Sequence, residues 1–173
     1  ANDSRGLFQM ATGVGKTFTA LAALEKYAES VDEALLTVIA VPVTHLASQW
    51  EQEMEIFDLP APHLLFGSVE KNWKQELSRV TTNIELGTKD HEIVITTHQS
   101  LYDESFRDSI RRLSGKVTFI GDEVHGLGSD EQQKGLIDAY DARIGLSATP
   151  ERYYDEAGSQ YLLNYFDGVV FEY

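Results

Sequence analysis

Ala11-Thr12-Gly13-Val14-Gly15-Lys16-Thr17 sets two glycines, a lysine and a hydroxyl at the spacing of a phosphate cradle. Glycines let backbone N–H groups close on phosphate oxygens at a helix start, where unpaired amides favour negative charge. Lys16 then reaches the β- and γ-phosphates while the Thr17 hydroxyl ligates Mg²⁺, so this pair must stand in the first helical turn. Thr12, Gly13, Val14, Gly15, Lys16 and Thr17 are therefore the expected nucleotide-binding residues, with ATP and Mg²⁺ as ligands. The strict pattern has glycine at position 10, where this chain has Met10.

A second cluster, Asp122-Glu123-Val124-His125, follows the apolar run Val117-Thr118-Phe119-Ile120. A central strand there would deliver both carboxylates to its C-terminal edge, where ligands of open α/β sheets bind. Asp122 is the expected second Mg²⁺ ligand. Glu123 is the group expected to orient or deprotonate an attacking water, and His125 stands beside it. Several βαβ units of about 30 residues each would fill the interval between the two clusters.

The elements that must position these groups follow from hydrophobic periodicity. Apolar, β-branched runs recur at Gly6–Met10, Leu35–Val43, His63–Phe66, Glu92–Thr97, Lys116–Gly121 and Arg143–Ala148, and Val169–Tyr173 forms another. Helical spacing predicts helices over Thr17–Glu29, Thr44–Phe57 with Thr44 as N-cap, Val69–Val80, Glu104–Leu113 and Glu156–Tyr165. Near-continuous apolar strands alternating with helices predict an α/β, doubly wound, mostly parallel sheet with helices on both faces.

The net charge of −14 excludes a strong nonspecific grip on nucleic acid by this chain, since that grip needs Lys and Arg to displace counterions. There are no cysteines, which excludes disulfides and thiolate metal sites, and the five histidines show no metal-ligand spacing. The longest apolar run, Ala34–Val43, is too short to span a bilayer. A cytoplasmic domain over residues 1–168 is expected, with 169–173 leading towards a further domain.

ATGVGKT, DEVH and Ser147-Ala148-Thr149 occur in the order of motifs I, II and III of superfamily 2 helicases and translocases, and DEVH is of the DExH type. The chain resembles the first RecA-like, ATP-binding domain of that group. Its phrasing is closest to bacterial and phage DEAD/DEAH-box helicases and to type I restriction enzyme motor subunits. The resemblance implies that Ser147 and Thr149 couple the nucleotide site to nucleic acid, with His125 sensing the γ-phosphate.

Pro42-Val43-Thr44-His45-Leu46-Ala47 resembles motif Ia, and Thr97-His98-Gln99-Ser100-Leu101 resembles a later backbone-binding motif. By that resemblance Thr44, His45, Thr97, Gln99 and Ser100 touch nucleic acid, DNA ahead of RNA. Hydroxyls, amides and helix N-termini are ordinary phosphate ligands that position a strand without reading it. Thr44 and Thr97 also suit plain helix capping. The resemblance further implies a second RecA-like domain supplying catalytic arginines, a contribution of roughly 10³ or more in rate, so the isolated chain is expected to hydrolyse ATP weakly. An ATP-driven switch that gates a nuclease without unwinding fits the same residues.

Overall fold

The computed structural model describes residues 4–11, 13–66, 72–149 and 155–172. Seven strands, β1 (Arg5–Gln9), β2 (Leu35–Val41), β3 (His63–Leu65), β4 (His91–Thr97), β5 (Lys116–Gly121), β6 (Ala142–Ser147) and β7 (Val169–Glu172), form one sheet ordered β3-β4-β2-β5-β6-β1-β7. Every pairing among them is parallel, as the sequence pattern predicts. β1 and β5 are not neighbours, because β6 lies between them. That placement brings the ends of three strands, Gln9, Gly121 and Ser147, to one edge of the sheet.

β2 is buried at all seven positions, which is why its residues read as a continuous apolar run. Leu36, Val38 and Ala40 face one layer, while Ile39 and Val41 face the other. The second layer holds α1 (Lys16–Glu29) and α2 (Thr44–Met54), through Ala20, Leu21, Leu24, Ala47, Trp50 and Met54. The first holds α3 (Trp73–Glu85), α4 (His98–Leu101), α5 (Glu104–Arg112) and α6 (Glu156–Tyr165). This is the RecA-like arrangement expected of a phosphate-loop protein. Among the described residues no helix is long and apolar enough to cross a membrane.

Several boundaries differ from the sequence expectation. The helix predicted over Val69–Val80 runs instead from Trp73 to Glu85, because Thr81 and Ile84 extend its buried stripe; residues 67–71 lie outside the described set. α2 stops at Met54 rather than Phe57. Thr44 is not an N-cap: Val43 holds that position in extended backbone with no side-chain hydrogen bond, and Thr44 is the first helical residue. One-turn α4 and the 3-10 turns at Val124–Gly128 and Gln132–Gly135 were not predicted, since a single turn carries no periodicity.

At the opposite edge of β4, burial pushes the His91 imidazole down to about 4, against the opposing pull of Glu92. Its Nε2 lies 2.9 Å from the Thr37 hydroxyl. Unfolded histidine titrates near 6.5, so between pH 6.5 and about 4 the unfolded chain binds a proton that the folded chain refuses. Stability is full above that window and is lost as pH falls through it. Urea unfolding is expected to register about 2 kcal/mol of this loss, discounted for the partial exposure of the ring, and His91→Gln is expected to remove it; an unchanged pH slope in the variant refutes the assignment.

Candidate functional site

α1 starts immediately after Gly15, whose φ of +91° leads a left-handed entry that glycine adopts without strain. Gly13, at φ +81°, has the same freedom, and an added Cβ at either glycine would meet nothing within 4 Å. The loop is thus open on its outer side, with Lys16 and Thr17 in the first turn of α1 as predicted. Thr12 lies outside the described residues.

β5 ends in a sharp turn. A Cβ on Gly121 would come within 2.6 Å of Val124 Cγ1, so any larger residue here would have to displace the Val124 side chain as the chain folds back. Asp122 N donates to Ala40 O at 2.8 Å, holding the start of the turn against β2. Glu123 then adopts φ +46°, an uncommon left-handed conformation for a residue with a side chain. The turn sends the two carboxylates to different partners.

Glu123 meets the phosphate loop: Lys16 Nζ lies 2.6 Å from Glu123 Oε1, with both side chains mostly buried. Asp122 instead faces α2, where the Trp50 indole N–H donates to its Oδ2 at 3.1 Å. Burial raises the Asp122 carboxyl above its ordinary range, Glu123 adds to that rise, and Trp50 and Lys16 oppose it.

His125, in the 3-10 turn, places Nδ1 3.3 Å from Ser147 Oγ and 3.4 Å from Glu123 Oε2. Ser147 Oγ donates its proton to Thr149 O at 2.9 Å, so it accepts from an Nδ1–H of His125. Met10 N donates to Ser147 O at 3.0 Å. A continuous polar line therefore joins Glu123, His125, Ser147 and Thr149 across the end of β6 and touches the base of the phosphate loop. Residues predicted from three separate motifs meet here.

The five residues predicted to face nucleic acid divide. Thr44, Thr97, Gln99 and Ser100 line one groove of about 640 Å³, with Trp73 and Tyr102 as aromatic wall. His45 is exposed on α2 but is not on that wall. Thr97 does cap its helix, accepting from Ser100 N at 3.2 Å. Among the described residues no Lys or Arg lines the groove; its polar groups are hydroxyls, the Gln99 amide and the Asp103 carboxylate.

Two residues of the site were missed by sequence reasoning. Trp50 reads as core by its four-residue spacing with Leu46 and Met54, and it is 1% exposed. The available signal was its indole N–H, which seeks an acceptor when buried. His98 reads as an ordinary residue at a strand end, yet it is 4% exposed and its Nε2 donates to Asp122 O at 2.9 Å. Burial pushes its imidazole down to about 4, with the hydrogen bond to Asp122 backbone opposing, so the ring is neutral near pH 7.

The donor set fits a nucleotide with Mg²⁺. Among the described residues no group of three or more His, Cys, Asp or Glu gathers to cage a metal. Mg²⁺ does not need one: it is usually held by one or two carboxylates together with substrate phosphates and waters. A carboxylate such as that of Asp122 and a hydroxyl such as that of Thr17 are donors of this kind.

The family model described as type III restriction enzyme, res subunit, matches residues 1–152. No curated protein sequence is significantly similar to the chain. Among solved structures, a nuclease-deletion mutant of the Type ISP restriction-modification enzyme LlaGI in complex with a DNA substrate mimic is similar, with TM-score 0.69 and 19% identity over 88% of this chain and 16% of that one. The UvsW helicase from bacteriophage T4 matches with TM-score 0.66 and 19% identity over 100% of this chain and 55% of that one. The SWI2/SNF2 ATPase core of Sulfolobus solfataricus in complex with dsDNA matches with TM-score 0.63 and 17% identity over 96% and 32%. At these identities the likeness establishes the fold alone, a RecA-like one. The chain spans about half the length of UvsW and less of the other two.

Proposed function

The chain belongs to the family of the type III restriction enzyme res subunit, and from that premise we propose that it is the ATP-binding domain of a nucleic-acid translocase or helicase of the DExH type. The observation that carries this reading is the meeting of Lys16 with Glu123 across the end of β6. A phosphate lysine and a candidate base stand at one edge, and a hydroxyl-lined groove opens on the same sheet.

In this reading Gly13, Val14, Gly15 and Thr12 cradle the phosphates through backbone amides, and Lys16 neutralises the β- and γ-oxygens. Thr17 and Asp122 would hold Mg²⁺, which would withdraw charge from the phosphate oxygens. Glu123 orients a water and accepts its proton as the oxygen attacks the γ-phosphorus and the bond to the β-phosphate oxygen breaks. His125, Ser147 and Thr149 form the line along which the γ-phosphate state reaches the groove, where Thr44, Thr97, Gln99 and Ser100 bind a strand by its backbone and His45 flanks it.

DNA stands ahead of RNA as the partner, supported by the DNA complexes of two structural relatives. A second RecA-like domain would complete the catalytic site with arginine. Within this reading we place translocation that feeds a nuclease ahead of strand separation, supported by the restriction-enzyme description of the matching family. The test is ATP hydrolysis by the full-length protein with duplex DNA, single-stranded DNA or RNA, run beside triplex displacement and duplex unwinding. Stimulation by DNA with triplex displacement is expected; hydrolysis indifferent to every nucleic acid overturns the proposal.

A further inference from the structure

Asp122 is held at two atoms by side chains that do not come from the phosphate loop or from its own turn. The Trp50 indole donates to its carboxylate Oδ2, and the His98 ring donates to its carbonyl oxygen. Both donors are almost wholly buried. Their origins are informative: Trp50 lies on α2, the helix that begins with Thr44, and His98 stands between Thr97 and Gln99. Each of the two segments lining the groove thus sends one buried N–H to the same residue.

His98 has a second contact of consequence. A Cβ on Gly126 would sit 3.1 Å from His98 Nδ1, so the turn carrying His125 closes directly over the imidazole. The ring is wedged between the Asp122 carbonyl and the His125 turn. Close-packed interiors transmit displacement rather than absorb it, and a hydrogen bond near 3 Å weakens steeply when its donor moves or turns. A shift of α2 or of the Thr97–Ser100 segment therefore moves the Asp122 carboxylate, its backbone, or both.

We propose that Trp50 and His98 are positioning residues that connect occupancy of the groove to the Asp122 carboxylate, Trp50 through the carboxylate itself and His98 through the backbone and the His125 turn. The proposal rests on the function given above, in which Asp122 binds Mg²⁺ and the groove binds a strand. It makes the coupling reciprocal: nucleic acid alters Mg²⁺-dependent nucleotide affinity by the same factor by which the Mg²⁺-nucleotide alters nucleic-acid affinity.

The test uses the full-length protein, a fluorescent non-hydrolysable ATP analogue and a duplex DNA oligonucleotide, with affinities measured with and without Mg²⁺ and with and without DNA. Trp50→Phe keeps an aromatic ring and removes the N–H; it is expected to lose about fivefold or more of the Mg²⁺-dependent gain in nucleotide affinity. His98→Leu is expected to lose about fivefold or more of the further gain from DNA. His98→Gln, whose amide reaches towards the same carbonyl, is expected to restore it. Nucleotide affinity without Mg²⁺ is expected to stay within about twofold of wild type in each, a result that a general loss of structure would not produce.

Should His98→Leu fail to fold, His98→Asn, with an amide too short for that carbonyl, takes its place in the comparison. Wild-type gains in folded Trp50→Phe and His98→Leu, or a His98→Gln protein as defective as His98→Leu, overturn the proposal. A wild type that responds to Mg²⁺ but to no nucleic acid sinks the motor reading and the coupling with it. A responsive wild type with indifferent variants sinks the coupling alone.

Discussion

Glu123→Gln is expected to slow ATP hydrolysis by about 10³-fold, the scale of losing a positioned general base, while binding ATP at least as tightly as the wild type. The two effects have one structural origin. Glu123 Oε1 lies 2.6 Å from Lys16 Nζ, so the carboxylate competes with phosphate for the same ammonium. A glutamine oxygen is neutral and competes less, because hydrogen bonds to charged acceptors are roughly twice as strong as those to neutral ones. Glutamine also keeps the shape and length of the side chain at the left-handed backbone of position 123. Single-turnover hydrolysis and equilibrium nucleotide binding, measured on the same full-length preparation, separate the outcomes. Turnover within about tenfold of wild type would remove Glu123 from the role of base. A parallel fall in affinity would make it structural.

Lys16→Ala is the opposite case: affinity for ATP is expected to fall by about 10²-fold, the worth of a strong charge-assisted contact, and turnover to fall with it. The substitution also leaves the mostly buried Glu123, in a conformation uncommon for its residue type, without its lysine partner at Oε1 and, among the described residues, with only His125 near Oε2. Part of the loss therefore belongs to a reorganised Glu123, and the double variant Lys16→Ala with Glu123→Gln exposes that part. Residues in direct contact deviate from additivity, so the double variant is expected to bind ATP better than the sum of the single effects allows. Calorimetric titration of the three proteins provides the comparison. Additive losses would mean that the ion pair has no bearing on nucleotide binding. Lys16→Arg is not a conservative control, since a planar guanidinium cannot reproduce the point charge of an ammonium at this loop.

Much of the fold was legible because it is written in local periodicity. The strand Lys116–Gly121 and the helix Glu156–Tyr165 have the predicted bounds, and β2 differs only by the loss of Pro42 and Val43, which turn the chain into α2. The predictions fail where the deciding force is not local. α3 extends to Glu85 because Ile84 finds core beneath it, something no window of sequence reveals. α4 and the 3-10 turn of His125 are single turns whose existence depends on Thr97 capping and on the fold-back at Gly121.

The site divides in the same way. Lys16, Thr17, Asp122 and Glu123 were candidates by type, spacing and position after apolar runs, since phosphate chemistry demands glycine, lysine, hydroxyl and carboxylate at strand ends whatever the rest of the chain does, whereas Ser147 and Thr149 entered only through the resemblance to motif III. The sequence by itself also determined a parallel sheet, because its strands are apolar on both faces. Only the tertiary structure decided that β6 lies between β1 and β5, which sets Ser147 beside His125 and Glu123 opposite Lys16. It alone decided that Trp50 and His98, which read as a core residue and an ordinary strand-end residue, both donate to Asp122. Strand order and the partners of buried polar groups are long-range matters: they follow from which layers pack together, and a spacing rule confined to neighbouring residues carries no information about them.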